Sequence, residues 1–435
     1  MLKKLSKLTS IFVLLLLLLL GVIAPINVNA NTKWTILSSE SGVPGNKVWN
    51  IDLTKEADSN IVGITVEKNN TSIPVTVSYS GKKATITTSS RYEGGSSYTI
   101  KIFLDSGKRF IKTFTVGMLD EITPDPGFKD HINGKIYRIS PNPKKGYNYP
   151  YILYIPKEAT NNKNSRLLVE PNNTGRVSDN MDIHEKEAIR LTQGSYGWQI
   201  SRNLNVPYLI PVFPRPETNY VYTHELTRDA MMVKNSPMSR LDLQLVSMIK
   251  DAKELLKQRN ITVPDKTFMI GYSASSKFTN RFAIMHPQYV RAVATGGINS
   301  IPTFPTNSIE GKSVRYPVGI SDLKSITGID FNMNEYKKVS QYIYMGETDT
   351  NDDTLFRDAY SQEDMELVHS LIGKQMLPQR YNKSQQIYSS LGIPAQFVTY
   401  KGIGHQIVNY TVEDVIKFLR ANDTNNGFTK INPHS

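Results

Sequence analysis

A serine on a sharp turn is the first residue of this sequence that could do chemistry. The segment Gly271-Tyr-Ser273-Ala-Ser275 follows a short apolar run and precedes apolar residues at helical spacing. The pattern predicts a strand, a tight turn and a helix. A serine held on such a turn projects its hydroxyl from the sheet, with a helix N-terminus behind it. The segment therefore makes Ser273 a candidate nucleophile.

A base and an acid must accompany that serine. A serine hydroxyl is a weak nucleophile until a neighbouring base takes its proton, and a carboxylate must hold that base in the right tautomer. Gly402-Ile-Gly404-His405 follows a late apolar run and supplies a histidine, which titrates in the useful range. We therefore predict His405 as the general base. The candidate acids lie in the loop after another late run, and they are Glu347, Asp349, Asp352 and Asp353.

The reaction also needs N–H donors for the negative charge that develops on a carbonyl oxygen. One donor normally comes from the residue after the nucleophile, which here is Ala274. The second is expected from the loop after an early strand. The polar segment Asn172-Asn173-Thr174 follows the apolar run 167–169 and ends at a glycine. The sequence leaves open which of Asn172, Asn173 and Thr174 donates.

Apolar runs and helical stripes alternate around these residues. The segment 241–256 has apolar residues at helical spacing. The runs that indicate buried strands are 167–169, 206–213, 268–270, 290–294, 341–344 and 395–400. Such alternation predicts an α/β fold with a mostly parallel sheet covered on both faces. Because the carboxyl ends of parallel strands meet at one edge, we expect Ser273, the acidic loop and His405 to converge there.

By the order and strand context of these residues, the region 131–424 resembles the α/β-hydrolase superfamily. The resemblance implies an α/β-hydrolase fold and a Ser–Asp–His triad. The family pattern Gly-x-x-Asp favours Asp349 as the acid, with Asp352 as the alternative. The elbow and its helix are most similar to extracellular polyester depolymerases and feruloyl-type esterases. The usual elbow has glycine where Ser275 stands, and we expect the turn to tolerate a serine because it is small.

This resemblance predicts a serine hydrolase that cleaves carboxylic esters of small-molecule or polymeric substrates, without a cofactor. No His-Glu-x-x-His or comparable ligand spacing occurs, so no catalytic metal is expected. Two alternatives stay open. One is a serine peptidase of the prolyl-oligopeptidase type, which uses the same triad. The other is a non-catalytic surface-binding protein built on a hydrolase fold. Side chains expected near the mouth of the pocket, and therefore candidates for substrate binding, are His224, Tyr222 and Trp198.

The start of the chain indicates export. Residues 1–30 combine early lysines, the apolar run 11–24 and the small-residue sequence Val28-Asn29-Ala30, which together predict a cleavable signal peptide. The apolar run is shorter than the roughly 20 residues that span a bilayer. We therefore predict a bacterial protein that is secreted or associated with the cell surface.

Period-two patterns indicate a separate β domain at residues 31–117. Short alternating strands separated by Asn, Ser and Gly turns predict a small all-β sandwich. The stretch Gly94-Gly-Ser-Ser-Tyr98-Thr-Ile100 resembles the immunoglobulin-like (Ig-like) modules of bacterial surface-layer and wall proteins. We expect a spacer or attachment module, with contact to a wall or surface polymer as the sharper alternative. The remaining boundaries are a Pro-rich linker at 118–130, the hydrolase domain at 131–424 and a tail at 425–435.

The amino-acid composition excludes several kinds of chemistry and of binding partner. The 435-residue chain has no cysteine, which excludes disulfides and thiolate catalysis. Its net charge of +12 could favour anionic surfaces, but no basic block carries interleaved aromatics. We therefore expect no nucleic-acid partner.

Overall fold

The chain folds as two compact units, Met1–Gly117 and Met118–Ser435. A computed structural model describes residues 33–161, 166–173, 175–424 and 427–434. The predicted signal peptide, residues 1–30, lies outside the described residues, as do parts of the predicted tail. Within the described ranges, no helix is both long and apolar enough to cross a membrane.

The described part of the first unit consists of strands in two sheets. Strand β1 pairs with β9, followed by β8, β4 and β5, while β2 also pairs with β9; the second sheet has the order β3-β7-β6. Alternate residues of the long strands are buried, such as Ile100 and Ile102, and form one core. The Ig-like character of this unit stays a prediction. The strands are β1 Trp34–Ile36, β2 Glu40–Val43, β3 Trp49–Asp52, β4 Ile61–Lys68, β5 Thr71–Ile73, β6 Thr76–Ser80, β7 Lys83–Thr87, β8 Ser97–Leu104 and β9 Arg109–Val116.

The second unit is built on a nine-stranded sheet. Its order is β10-β11-β12-β14-β13-β15-β16-β19-β20, and the six strands from β14 to β20 along this order run parallel. These strands are β10 Leu119–Ile122, β11 Gly134–Ile139, β12 Tyr151–Pro156, β13 Leu168–Val169, β14 Tyr208–Pro211, β15 Thr267–Tyr272, β16 Val290–Gly296, β19 Ser340–Gly346 and β20 Ala395–Tyr400. A separate small hairpin pairs β17 Ser308–Ile309 with β18 Lys312–Ser313. The predicted mostly parallel sheet is confirmed.

Helices cover both faces of this sheet. The α-helices are α1 Met181–Leu191, α2 Tyr196–Leu204, α3 Arg228–Met232, α4 Leu241–Lys257, α5 Ala274–Met285, α6 Leu323–Thr327, α7 Met333–Tyr336, α8 Gln362–Leu371, α9 Tyr381–Ser390 and α10 Asn409–Ala421. Shorter 3₁₀ and π turns are Pro143–Lys145, Lys157–Asn161, Thr223–Glu225, Pro287–Tyr289, Asp353–Leu355 and Met376–Arg380. Because neighbouring strand residues face opposite sides, Met269 joins one core while Phe268 and Ile270 join the other.

Parallel pairing sets where the loops meet. Strands β13, β15, β16, β19 and β20 run in the same direction, so the segments that follow their last residues lie along one edge of the sheet. Those segments contain Asn172, Ser273, Asn299, Asp349 and His405.

Candidate active site

The serine turn has a strained backbone. Ser273 adopts φ 59° and ψ −127°, directly before helix α5 begins at Ala274, and its N–H donates to the Gly296 carbonyl (3.0 Å). A non-glycine residue in such a conformation persists only where its surroundings enforce it. Gly271 permits the sharp return of the chain, because a Cβ at that position would lie 2.3 Å from the Ser275 carbonyl oxygen. The strand–turn–helix geometry is the one that exposes a nucleophilic hydroxyl.

Ser275 does more than fit the turn. Its hydroxyl donates to the Tyr272 carbonyl and accepts from the Tyr272 N–H, both at 2.9 Å. The expectation of a merely tolerated serine understates its role, since these two bonds tie the first turn of α5 back to the last strand residue. A glycine could make neither.

The predicted base lies against one carboxylate. Nδ1 of His405 is 2.8 Å from Oδ2 of Asp349, whose side chain is buried. Because an ionised carboxylate only accepts hydrogen bonds, Nδ1 carries the proton and Nε2 keeps its lone pair. Nε2 faces Nδ2 of Asn351 at 3.3 Å. The arrangement leaves the imidazole in the tautomer that can accept a proton at Nε2.

The other three acids have different partners. Asp352 is bound by Arg380 and by the Thr354 hydroxyl (2.8 Å). Asp353 pairs with Lys277 (2.7 Å), and Glu347 accepts from the Gly402 N–H (3.0 Å). Of the four candidate acids, Asp349 is the one that the structure brings to His405.

The acid and base loops touch through their backbones. The Thr348 N–H donates to the Ile403 carbonyl (2.8 Å). A Cβ at Gly346 would lie 2.4 Å from the carbonyl oxygens of both Ile403 and Gly404. A glycine is therefore required at the end of β19 for the loops to approach this closely.

Two parts of the chain were expected to supply oxyanion donors. Ala274 is the first residue of α5, and the described residues provide no acceptor for its N–H. The Asn172 side chain is occupied, since its oxygen accepts from the Phe213 N–H (3.0 Å) and its nitrogen donates to the Phe213 carbonyl (2.9 Å). Asn173 is half-buried and its oxygen accepts from the Gly175 N–H (3.4 Å). Thr174 lies outside the described residues, so the main-chain N–H groups of 172 and 173 remain the candidates here.

His224 is buried, whereas the sequence places it among the candidates for the mouth of the pocket. Its side chain is 1% exposed, and Nε2 lies 2.9 Å from the Phe213 carbonyl. Burial lowers the pKa of His224 to about 3, so the ring is neutral. His184 is also fully buried, with its ring 5.9 Å from that of His224. The pair supports the loops after β13 and β14.

Trp198 lies far from the sheet edge that carries Ser273. It lines a surface pocket with Asn133 and Glu158, which flank β11 and β12. In β12, Tyr154 pairs with Tyr208, the first residue of β14, so this pocket lies near the amino ends of the parallel strands. That is the edge opposite Ser273.

Tyr222 stays a candidate for substrate binding. Its half-buried ring stacks under the Arg215 guanidinium, 3.8 Å from the ring centre. Arg215 also pairs with Asp358 (3.2 Å), which follows the acid loop. Tyr222 therefore lies on the acid-loop side of the sheet edge.

Asn299 was not predicted, although it contacts the nucleophile. Its Nδ2 lies 3.3 Å from Ser273 Oγ and 3.0 Å from Oδ1 of Asp353. Asn299 follows β16, so the same strand-end rule that located Ser273 and His405 points to it. A search of the sequence for acids, bases and nucleophiles does not select Asn299, because an amide side chain is none of these.

The described residues hold no group of three or more His, Asp or Glu side chains arranged to bind a metal ion.

The chain is similar to known proteins in its structure but not detectably in its sequence. No family model and no curated protein sequence matches the chain. Similar solved structures are esterases and serine hydrolases. Poly(aspartic acid) hydrolase-1 from Sphingomonas sp. KT-1 shares 13% identity at a TM-score of 0.43, covering 63% of this chain and 94% of that one. An S-formylglutathione hydrolase from Agrobacterium tumefaciens shares 10% identity at a TM-score of 0.40, covering 70% and 98%. The fluorophosphonate-binding serine hydrolase F of Staphylococcus aureus shares 11% identity at a TM-score of 0.36, covering 67% and 99%.

Proposed function

We propose that this chain is a secreted serine hydrolase that cleaves carboxylic ester bonds through an acyl-enzyme. Ser273 is the nucleophile, His405 the base and then the acid, and Asp349 the orienting carboxylate. One observation carries the proposal: the buried Asp349–His405 hydrogen bond of 2.8 Å lies at the same sheet edge as the strained turn of Ser273. Acyl transfer requires a carboxylate that fixes an imidazole within reach of a nucleophilic serine, and this sheet edge carries all three groups.

The reaction follows from these positions. Nε2 of His405 takes the hydroxyl proton of Ser273 as Oγ attacks the ester carbonyl carbon. The Ala274 N–H and the loop at 172–173 stabilise the resulting oxyanion. His405 then protonates the departing alcohol, and water releases the acid by the same steps in reverse order. Asn351 Nδ2 faces the lone pair of Nε2, so we expect the Asn351 side chain to move aside when substrate binds.

We propose that the N-terminal part of the chain determines where the enzyme acts. A signal peptide at residues 1–30 would export it, and the strand-rich unit that follows would act as an Ig-like spacer or attach to a wall polymer. The net charge of +12 supports attraction to anionic surfaces.

The test uses the chain from residue 31 onward. Purified protein is incubated with a fluorophosphonate probe and with chromogenic short-chain esters, beside the Ser273→Ala variant. We expect wild type to be labelled and to hydrolyse the esters, and the variant to do neither. An unlabelled, inactive wild type would overturn the proposal and favour the surface-binding alternative. Turnover of aminoacyl amides without acyl esters would favour the peptidase.

A further inference from the structure

The Asn299 side chain bridges the nucleophile and a buried ion pair. Nδ2 lies 3.3 Å from Ser273 Oγ and 3.0 Å from Asp353 Oδ1, and Asn299 is 2% exposed. Asp353 in turn lies 2.7 Å from Nζ of Lys277. Lys277 belongs to α5, one helical turn after Ser273, so the ion pair joins the nucleophile's own helix to the acid loop.

The Lys277–Asp353 ion pair determines whether the nitrogen or the oxygen of the Asn299 side chain faces Asp353. Asp353 and Lys277 are 3% and 1% exposed, and Asp353 presents Oδ2 to Nζ of Lys277 and Oδ1 to the Asn299 amide. A carboxylate oxygen in an ion pair accepts hydrogen bonds, so the nitrogen of Asn299 and not its oxygen faces Asp353. The nitrogen has two hydrogens. With one directed to Asp353, the other is available to Ser273 Oγ.

We propose that Asn299 is a catalytic residue that acts on the nucleophile oxygen itself, positioned by the Lys277–Asp353 pair. This inference deepens the proposed function and rests on it. In acylation the Ser273 O–H bond breaks as its proton passes to His405, Oγ bonds to the ester carbon, and the carbon–alkoxy bond breaks as His405 protonates the departing alcohol. In deacylation a water O–H bond breaks as its proton passes to His405, the water oxygen bonds to the acyl carbon, and the Oγ–C bond breaks as Oγ recovers a proton from His405.

Negative charge develops on Oγ in both steps, and an N–H donor already at Oγ stabilises it. Ala274 and the loop at 172–173 act on the carbonyl oxygen instead. Asn299 gives up no proton and stays neutral throughout, because it acts only as a hydrogen-bond donor. A donor at this place is expected to speed bond formation at Oγ more than it strengthens substrate binding.

The experiment removes the donor and keeps a side chain that branches at Cγ. Asn299→Leu is compared with Asn280→Leu, a matched control on α5 whose buried amide donates to Tyr388 Oη (3.2 Å). The readouts are the second-order rate of fluorophosphonate labelling, kcat and KM for a chromogenic ester, and thermal stability. Asn299→Leu is expected to slow labelling and kcat by roughly 10- to 100-fold with little change in KM. Asn280→Leu is expected to lose stability and keep the wild-type labelling rate.

Labelling of Asn299→Leu at the wild-type rate would overturn the inference while leaving the proposed function intact. An equal slowing in Asn280→Leu would assign the effect to general loosening and would also overturn it. A wild type that is not labelled at all would remove the proposed function and this inference together. If the leucine variant does not fold, Asn299→Ala removes the donor without added bulk and gives the same comparison.

A double-mutant cycle tests the positioning role of Asp353. The Asp353→Asn side chain can itself present a nitrogen, so the orientation of Asn299 is no longer enforced, and we expect slower labelling. The double variant Asn299→Leu/Asp353→Asn should then label no more slowly than Asn299→Leu alone, because both changes remove the same donor. Multiplicative losses would show that Asp353 acts independently and would overturn the positioning role.

Discussion

The Asp349 carboxylate lies 2.8 Å from Nδ1 of His405, although the two residues are 56 positions apart in the chain. The second oxygen of Asp349 accepts from the Asn351 N–H at 2.9 Å. Both oxygens are thus engaged, and the buried carboxylate has one orientation toward the imidazole. This contact decides the tautomer of His405 and so whether Nε2 can take a proton.

Asp349→Asn should lower kcat/KM for a chromogenic ester by about 10³- to 10⁴-fold. An asparagine can turn an N–H toward Nδ1, which favours the tautomer with the proton on Nε2 and leaves the serine without a base. Steady-state kinetics with probe-titrated enzyme measures the loss. A near-normal rate would place the orienting acid elsewhere.

Asp352→Asn provides the contrast. Arg380 is fully buried and would lose its charged partner, so the free energy of unfolding should fall by about 2–4 kcal/mol. The rate per labelled active site should stay within a few-fold of wild type. A collapse of that rate in the folded variant would make Asp352 part of the catalytic machinery.

The positions of the serine, acidic loop and histidine could be predicted because each follows a buried strand of a parallel sheet. Which acid meets the histidine could not, because that depends on Arg380, 28 positions after Asp352. Nothing local to the loop indicates that this arginine draws Asp352 away. The preference for Asp349 rests on the Gly-x-x-Asp pattern of the superfamily that the sequence resembles.

The sequence also does not show how deeply a side chain is buried or at which edge of the sheet it lies. Trp198 and His224 are of types that often line pockets, but a side-chain type does not say at which edge it lies or how deeply. For Asn299, the location is predictable but the contact is not. The sequence places Asn299 after β16, but its contact with Ser273 depends on the buried Lys277–Asp353 pair, whose members come from separate segments.

Ser275→Gly should destabilise the protein, although the elbow pattern that this turn resembles usually has glycine at that position. The change removes two hydrogen bonds to Tyr272 and adds backbone freedom, and we expect a loss of about 1–3 kcal/mol in the free energy of unfolding. Urea unfolding measures it. Ser275→Ala separates the two causes, since it removes the bonds alone. A more stable glycine variant would show that the serine is only tolerated.

Gly346→Ala should separate the acid and base loops. The new Cβ would meet two backbone carbonyl oxygens at 2.4 Å, which cannot be relieved by a side-chain movement. We expect a drop of at least about 10-fold in kcat together with lower thermal stability, because Asp349 and His405 would be pushed apart.

Gly404→Ala is the control for that change. It lies in the adjoining loop, but a Cβ there would meet only Thr348 atoms at 3.8 and 3.9 Å, which is ordinary contact. Thermal stability close to wild type is expected. Equal damage from both substitutions would mean that the close approach at Gly346 is not the cause.

Glu170→Gln should stabilise the protein at alkaline pH and hardly at all in acid. Burial raises the pKa of Glu170 to about 7 from its ordinary 4.5, against the hydrogen bond from Tyr208 that lowers it. The folded carboxyl therefore holds its proton more tightly than the unfolded one. Stability falls as pH rises from about 4.5 to 7 and stays reduced above that, by on the order of 3 kcal/mol.

A glutamine keeps an oxygen that can accept from the Tyr208 hydroxyl, but it has no charge to bury. Urea unfolding of wild type and variant at pH 5 and pH 8 provides the measurement. The stability difference between the two proteins should be larger at pH 8, in favour of glutamine. The same difference at both pH values would mean that Glu170 titrates in the folded protein as it does in the unfolded chain, and that its burial against Tyr208 carries no electrostatic cost.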